Sequence, residues 1–272
     1  MRRYVIACAL VALVSAPLSA ELKYTSRMTA RAVPGAPAAT DMMGAMIGPM
    51  MLQMFGGAEG VETVVTINED GRMRTEYRGA FVGMPAGTVV IMRADGTSVG
   101  FDPKAQTWWK VDAGRDNPQL AAMLAQMTPE VTTKRTGEFA TVAGLKAERV
   151  SVAMTMPIPM PPGADQVPPE VLAMMPKEIT VEADVWVADA HAKYAKALTR
   201  MLAQSPMGAM GIDRMMSGLD GFTVRNVMRM SVLAGYELET VVTQVAEEDV
   251  PDSVFDVPAG FKEVPMPTPR IR

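Results

Sequence analysis

The sequence predicts an α+β fold in which a curved antiparallel sheet forms an incompletely closed, half β-barrel covered by short helices. Apolar and polar residues alternate in many short segments, which is the pattern of strands with one buried face. Short turns such as Asp70-Gly71 and Asp95-Gly96 separate these segments, and turns of this length join antiparallel strands. Roughly ten strands with one apolar face must curl or be covered, and the predicted helices can supply the cover.

The first twenty residues have the features of a signal peptide. Arg2 and Arg3 precede an apolar run from residue 4 to 14, and small residues lead to Ala20. We therefore expect cleavage after Ala20 and export to the periplasm, because the run is shorter than the about 20 residues of a membrane span. Loss of the two arginines leaves 24 basic residues against 30 acidic ones, a formal net charge of −6. This charge argues against nucleic acid as a partner.

The residue types after the leader exclude most catalytic chemistry. The only cysteine, Cys8, lies in the leader, and the only histidine is His191. A lone histidine is more typical of a surface or capping position than of a general base. The hydrolase elbow, the zinc-protease motif, the phosphate-binding loop and the dinucleotide fingerprint are all absent from the sequence. The sequence therefore predicts no enzyme, no catalytic residue and no cofactor.

Residues 21–265 are predicted to form one domain, followed by a tail at 266–272. The domain opens with a strand whose apolar phase contains Leu22, Tyr24, Met28 and Ala30. Next comes a methionine-rich insertion or flap at 41–57, where methionines recur every four residues at Met42, Met46, Met50 and Met54. A helix would present them as one stripe, but two glycines and Pro49 weaken that helix.

The remaining elements follow from period-two segments and turn signals. The predicted strands cover residues 61–67, 73–77, 88–93, 98–101, 106–111, 150–156, 179–187, 222–233 and 236–245. Helices are predicted near residues 117–127, 190–203 and 210–217, and a proline-rich loop covers 157–176.

Two adjacent tryptophans must point to opposite sides of their strand. One of Trp108 and Trp109 can be core, and the other a rim anchor or a cavity wall. Trp186 shares a strand face with Glu182 and Asp184, so we expect it to be partly exposed.

The methionines allow three interpretations, which are plain packing, an adaptable surface for lipid or peptide, and a soft-metal site for Cu(I) or Ag(I). The metal alternative rests on Met42, Met46, Met50 and Met54. The candidates for a ligand-binding cavity or flap are Tyr24, Met28, Met46, Met50, Met54, Trp108, Met154, Val181, Met228 and Met230.

Several segments, taken in order, resemble the LolA/LolB-type periplasmic lipoprotein-carrier superfamily and its methionine-rich relatives of unassigned function. They are ELKYTSRMTA, GRMRTEY, FDPKAQTWWKV, TGEFATVAGLKAERVSV, ADVWVADA, GFTVRN and VPDSVFDVPAGFKEVP. The resemblance implies a half-open barrel with helices at its mouth and a concave apolar surface that accommodates acyl chains. This sequence departs from the carriers by its methionine-rich rather than aromatic-rich candidates and by the inserted segment 41–55.

The leading expectation is a non-enzymatic periplasmic binding protein that shelters a lipid or a lipoprotein acyl chain, with an envelope protein as a further partner. The alternatives are soft-metal binding through the methionine-rich segment and a structural envelope protein with a filled core. No membrane-spanning segment is expected after the leader.

Overall fold

A computed structural model describes residues 20–33, 59–81, 84–111, 129–157, 177–204, 218–233 and 235–267 of the 272-residue chain. The strands are β1 (Ala20–Ala32), β2 (Val61–Ile67), β3 (Met73–Tyr77), β4 (Val89–Met92), β5 (Ser98–Asp102), β6 (Thr107–Val111), β7 (Glu130–Val142), β8 (Leu145–Pro157), β9 (Glu178–Ala188), β10 (Phe222–Met230), β11 (Tyr236–Asp249) and β12 (Lys262–Glu263). The helix α1 spans Ala192–Gln204, and 3₁₀ turns lie at Ser231–Leu233 and Asp252–Phe255.

All twelve strands belong to one open sheet in the order β12-β6-β5-β4-β3-β2-β1-β11-β10-β9-β8-β7. Neighbouring strands are antiparallel except for the short β12, which is parallel to β6. The strand that opens the predicted domain therefore lies near the middle of the sheet, where it joins the two halves of the chain.

The predicted antiparallel sheet is confirmed, but the fold is mostly β. The part of the chain that the structure describes contains one α-helix, α1, close to its predicted range. The helices predicted near 117–127 and 210–217, and nearly all of the proline-rich loop, lie outside the described residues.

Two details of the strands differ from the sequence prediction. The long strand β7 was missed, because most residues of EVTTKRTGEFATV are polar and its few apolar residues do not alternate regularly with them. It lies at an edge of the sheet, where a strand needs little apolar surface. The predicted strand 222–233 ends at Met230, and a 3₁₀ turn follows it.

The register gives the sheet two distinct sides. One side, here called the apolar face, contains the cross-strand row Met230, Val181, Met154 and Val131, and the row Ala30, Leu238, Met228, Ala183 and Val152. These rows bring together residues from six neighbouring strands of the sheet, β1, β11, β10, β9, β8 and β7.

The opposite side, here called the charged face, carries a ladder of ion pairs over the same strands. Arg149 Nε donates to Asp184 Oδ1 at 2.9 Å, and Arg229 Nη2 donates to Glu237 Oε2 at 2.7 Å. Burial alone would raise the pKa of Glu237, but hydrogen bonds from Arg31 and Arg229 lower that pKa below its usual value. These pairs keep charged side chains satisfied on a largely covered sheet.

Trp186 lies within this ladder and is partly exposed, as predicted. The guanidinium carbons of Arg225 and Arg149 lie 4.5 and 5.9 Å from its ring. The indole is therefore held between two cations by cation–π contacts, which accounts for a large aromatic side chain among charged residues.

Candidate functional site

A cavity of about 210 Å³ lies between α1 and the centre of the sheet. Its walls come from β1, β10 and β11, the three strands that join the two halves of the chain. The apolar lining includes Leu198 of α1 together with Phe222, Val224 and Val242. Tyr24, a candidate from the sequence, also lines this cavity.

Helix α1 covers the cavity because its sequence is amphipathic. Tyr194, Ala195, Ala197 and Leu198 recur at helical spacing and are buried or partly buried, whereas Lys193, Lys196 and Arg200 are exposed. The alanines are small, so the helix approaches the sheet closely along most of this face. Leu198 is the larger side chain that reaches toward the space.

Three polar contacts fix the amino-terminal end of α1. The Tyr194 hydroxyl donates to the carbonyl oxygen of Ala20 at 2.6 Å. Lys193 Nζ lies 2.6 Å from Glu69 Oε1. His191, whose φ of 62° places it in the left-handed region just before the helix, has its Nδ1 2.9 Å from Glu247 Oε1. The histidine thus serves to hold the helix against β11.

Tyr24 and Phe222 form the aromatic wall of the cavity. Their ring centroids lie 5.2 Å apart in an edge-to-face arrangement. Burial raises the pKa of Tyr24 to about 12, so its phenol is neutral over the whole physiological range. The wall therefore carries no charge toward the cavity.

Two buried oxygens at the cavity have no hydrogen-bond partner among the described residues. They are Oδ1 of Asn226 and Oγ1 of Thr223. Leaving such a group unpaired costs about 1–3 kcal/mol each. The neighbouring Ser26 hydroxyl, by contrast, is paired with Thr63 at 2.8 Å. The cavity therefore combines apolar walls with a polar side, to which Arg225 and Thr240 also contribute and which is able to exchange hydrogen bonds.

Two β-bulges lie beside the cavity. The register shift between Thr25 and Ser26 leaves Thr243 of β11 as an extra residue, and the shift between Thr223 and Arg225 leaves Val224 of β10 as another. Bulges bend a strand and redirect its side chains, and they are common next to functional sites. Val224 itself is fully buried and lines the cavity.

The cavity adjoins the methionine-bearing part of the apolar face. Met28 pairs with Thr240, and Thr240 pairs with Asn226, so these three residues form one cross-strand row. The next rows contain Met228 and then Met230. Six of the candidates predicted from the sequence share this face, and they are Tyr24, Met28, Met154, Val181, Met228 and Met230.

The other predicted candidates lie elsewhere. Trp108 is on the opposite side of the sheet, where it packs with Phe101, Val257 and Phe261. It is Trp109 that shares the face of Tyr24, through the row Tyr24, Val65, Thr75, Val90, Gly100 and Trp109. Met42, Met46, Met50 and Met54, with the metal alternative that rests on them, lie outside the described residues.

Three cavity residues missed by the sequence analysis share a recognisable pattern. Ser26, Asn226 and Thr240 are polar residues in the otherwise apolar phase of β1, β10 and β11. Each interruption alone is unremarkable, but the three strands are neighbours in the sheet. Thr240 and Asn226 share a cross-strand row and Ser26 lies in the next one, so the three interruptions together would have indicated a polar spot on the apolar face.

The described residues contain no cluster of three histidine, cysteine, aspartate or glutamate side chains able to hold a metal ion. No helix in the described ranges has both the length and the apolar character needed to cross a bilayer.

Comparison with known proteins gives a family match and several matches among solved structures. Residues 174–261, which include β9, α1, β10 and β11, match the family model described as a domain of unknown function, DUF4412. The search of curated proteins found no relative of this sequence. Among solved structures, the chain is similar to a LolA superfamily protein from Nitrosomonas europaea, with 6% identity and a TM-score of 0.32 over 88% of this chain and 91% of that one.

Proposed function

We propose that this protein is a non-enzymatic binding protein that shelters an apolar ligand, a lipid or a lipoprotein acyl chain, between α1 and the apolar face of its sheet. The cavity under α1 is the observation that carries the proposal, since its walls include the aromatic and aliphatic side chains of Tyr24, Leu198, Phe222 and Val242. Burial of an acyl chain gains about 0.8 kcal/mol per methylene, so such a wall is sufficient for useful affinity.

The size of the cavity bears on how a chain would enter. At about 210 Å³ it is smaller than the roughly 300–1,000 Å³ of most ligand pockets. A long chain therefore has to continue along the row of Met28 toward Met228, or α1 has to shift outward. The contacts of Lys193 and His191 hold the amino-terminal end of α1, so we expect the opposite end to move.

Filling the cavity tests the proposal. Leu198→Trp enlarges the side chain that α1 directs into the space, and we expect it to weaken binding of a fatty acid about tenfold, equivalent to about two lost methylenes. Thr141→Trp is the control, because it introduces the same side chain at an exposed position of the edge strand β7, away from the cavity. Binding is measured by displacement of a fluorescent fatty acid that absorbs visible light, so that the new indole does not interfere.

Two results would count against the proposal. If the parent protein neither binds the probe nor carries lipid in native mass spectrometry after gentle purification, the lipid-binding function fails. If Leu198→Trp and Thr141→Trp bind the probe equally while both unfold at the parent's urea midpoint, the cavity under α1 is not the site.

We also propose that the protein works in the periplasm after removal of residues 1–20. N-terminal sequencing of protein recovered from the periplasmic fraction should begin at Glu21, because small Ala20 precedes it. Ala20 is the first residue of β1 in the structure, so this cut removes the acceptor of the Tyr194 hydrogen bond and leaves the remainder of β1 intact. Recovery of full-length protein from the cytoplasm alone would contradict the proposal.

A further inference from the structure

A second, open cleft of about 560 Å³ lies beside the cavity, between α1 and two turns of the chain. Three cations of α1 line it, and Lys193, Lys196 and Arg200 follow one another at spacings of three and four residues, so they lie on one side of the helix. The turns contribute two carboxylates, Glu69 and Asp220. The cleft therefore holds three positive groups against two negative ones.

The pairing of these groups leaves two cations available. The Glu69 carboxylate is taken by Lys193 at 2.6 Å. Arg200 Nη2 reaches only the backbone carbonyl of Glu69, at 3.4 Å, and has no carboxylate partner among the described residues. Lys196 likewise has no ion pair within the described ranges. A single anionic group could contact both Lys196 and Arg200, which are one helical turn apart.

The cleft and the cavity adjoin each other. Ala195 and Gly221 line both spaces, one from α1 and the other from the turn before β10. Alanine carries only a methyl group and glycine has no side chain. Neither residue therefore places a bulky group between the cleft and the cavity. Gly221 is required there, since an added Cβ would lie 2.6 Å from Val187 Cγ1 and 2.7 Å from the carbonyl oxygen of Ala188.

We infer that the ligand is an amphiphile whose anionic headgroup binds Lys196 and Arg200 in the cleft while its acyl chain passes Ala195 into the cavity. The inference rests on the proposed function, because the cavity has to accept the chain. Phosphate and carboxylate headgroups share the required chemistry, and a lysine with an arginine is a suitable pair for either.

The test compares two ligands with the same chain, dodecyl phosphate and dodecyl maltoside, both below their micelle concentrations, with inorganic phosphate as a third ligand. The full-length parent should bind dodecyl phosphate about tenfold more tightly than dodecyl maltoside, as two exposed ion pairs allow. Lys196→Gln/Arg200→Gln should abolish this preference and leave dodecyl maltoside binding unchanged. Lys104→Gln/Lys262→Gln changes the net charge equally on the other half of the sheet and should keep the preference.

Replacing Asp220 should change the preference for dodecyl phosphate in the opposite direction. Its φ of 46° is in the left-handed region, which asparagine tolerates well, so Asp220→Asn removes the charge with little strain. The preference for dodecyl phosphate should rise severalfold, because a carboxylate no longer faces the headgroup.

Each outcome decides the inference. Equal binding of both dodecyl ligands by the parent overturns it while the proposed function stands, and binding of neither overturns both. A preference that survives Lys196→Gln/Arg200→Gln, or inorganic phosphate that binds as tightly as dodecyl phosphate, also overturns it, the latter because the cleft would then be a site for free phosphate.

Discussion

Replacing Trp109 by alanine is expected to lower the free energy of unfolding by about 3–5 kcal/mol, the usual cost of removing a buried tryptophan. Trp109 is 2% exposed, and its indole lies against Gly100 so closely that a Cβ there would be 2.5 Å from the ring. The variant would lose both the buried apolar area and the contact with the bare backbone of β5. Urea unfolding followed by circular dichroism measures the change.

The neighbouring tryptophan is a matched control. Trp108→Ala removes the same side chain one residue away, from a partly exposed position beside Phe101 and Phe261. We expect a loss of about 1–2 kcal/mol, because only part of the indole area is buried. Equal losses for the two variants would contradict the assignment of Trp109 to the core.

This pair shows what local sequence can and cannot decide. Adjacency alone requires that the two indoles point to opposite sides, and the structure confirms this. Which of the two indoles is buried depends on Gly100 in the neighbouring strand β5 and on Val257 and Phe261 near the end of the chain. Those neighbours are distant in sequence, so the sequence alone could not decide which of the two indoles is the core residue.

The candidate site was predictable in composition but not in position. The alternation along β1 and β10 placed Tyr24, Met28, Met228 and Met230 on one side, which the register supports. The cavity, however, forms where bulges at Thr243 and Val224 change the registers and where α1 covers the sheet. Bulges have no strong sequence signal, and the approach of a helix to three strands is a tertiary property.

The missed strand β7 illustrates a related limit. A strand can be predicted from alternating apolar and polar residues where one of its faces is covered. This is the case for β8, whose buried residues alternate with more exposed ones. In β7 most side chains are exposed, and the strand is held by backbone pairing with β8 from Val142 to Glu130. Backbone hydrogen bonds are common to all sequences, so they leave little trace in residue types.

Asn226→Leu should change stability and ligand binding in opposite directions. The buried Oδ1 of Asn226 has no partner among the described residues, so replacing the amide with an apolar side chain should raise the free energy of unfolding by about 1–2 kcal/mol. Thr223→Val removes the other unpaired oxygen with almost no change of shape, and we expect a smaller rise of about 1 kcal/mol.

Asn226→Leu should weaken ligand binding although it stabilises the fold. An unpaired polar group in an apolar cavity lowers the stability of the free protein, and a ligand that pairs with the group can offset this cost. If the unpaired Oδ1 of Asn226 accepts a hydrogen bond from a hydroxyl group of the bound ligand, Asn226→Leu should weaken binding of a hydroxy fatty acid about tenfold, which is the value of one hydrogen bond. Urea unfolding and probe displacement on the same preparations measure both effects. A variant that is less stable than the parent would show that the amide already has a partner in the free protein, and a variant that is more stable and binds as well would remove Asn226 from the site.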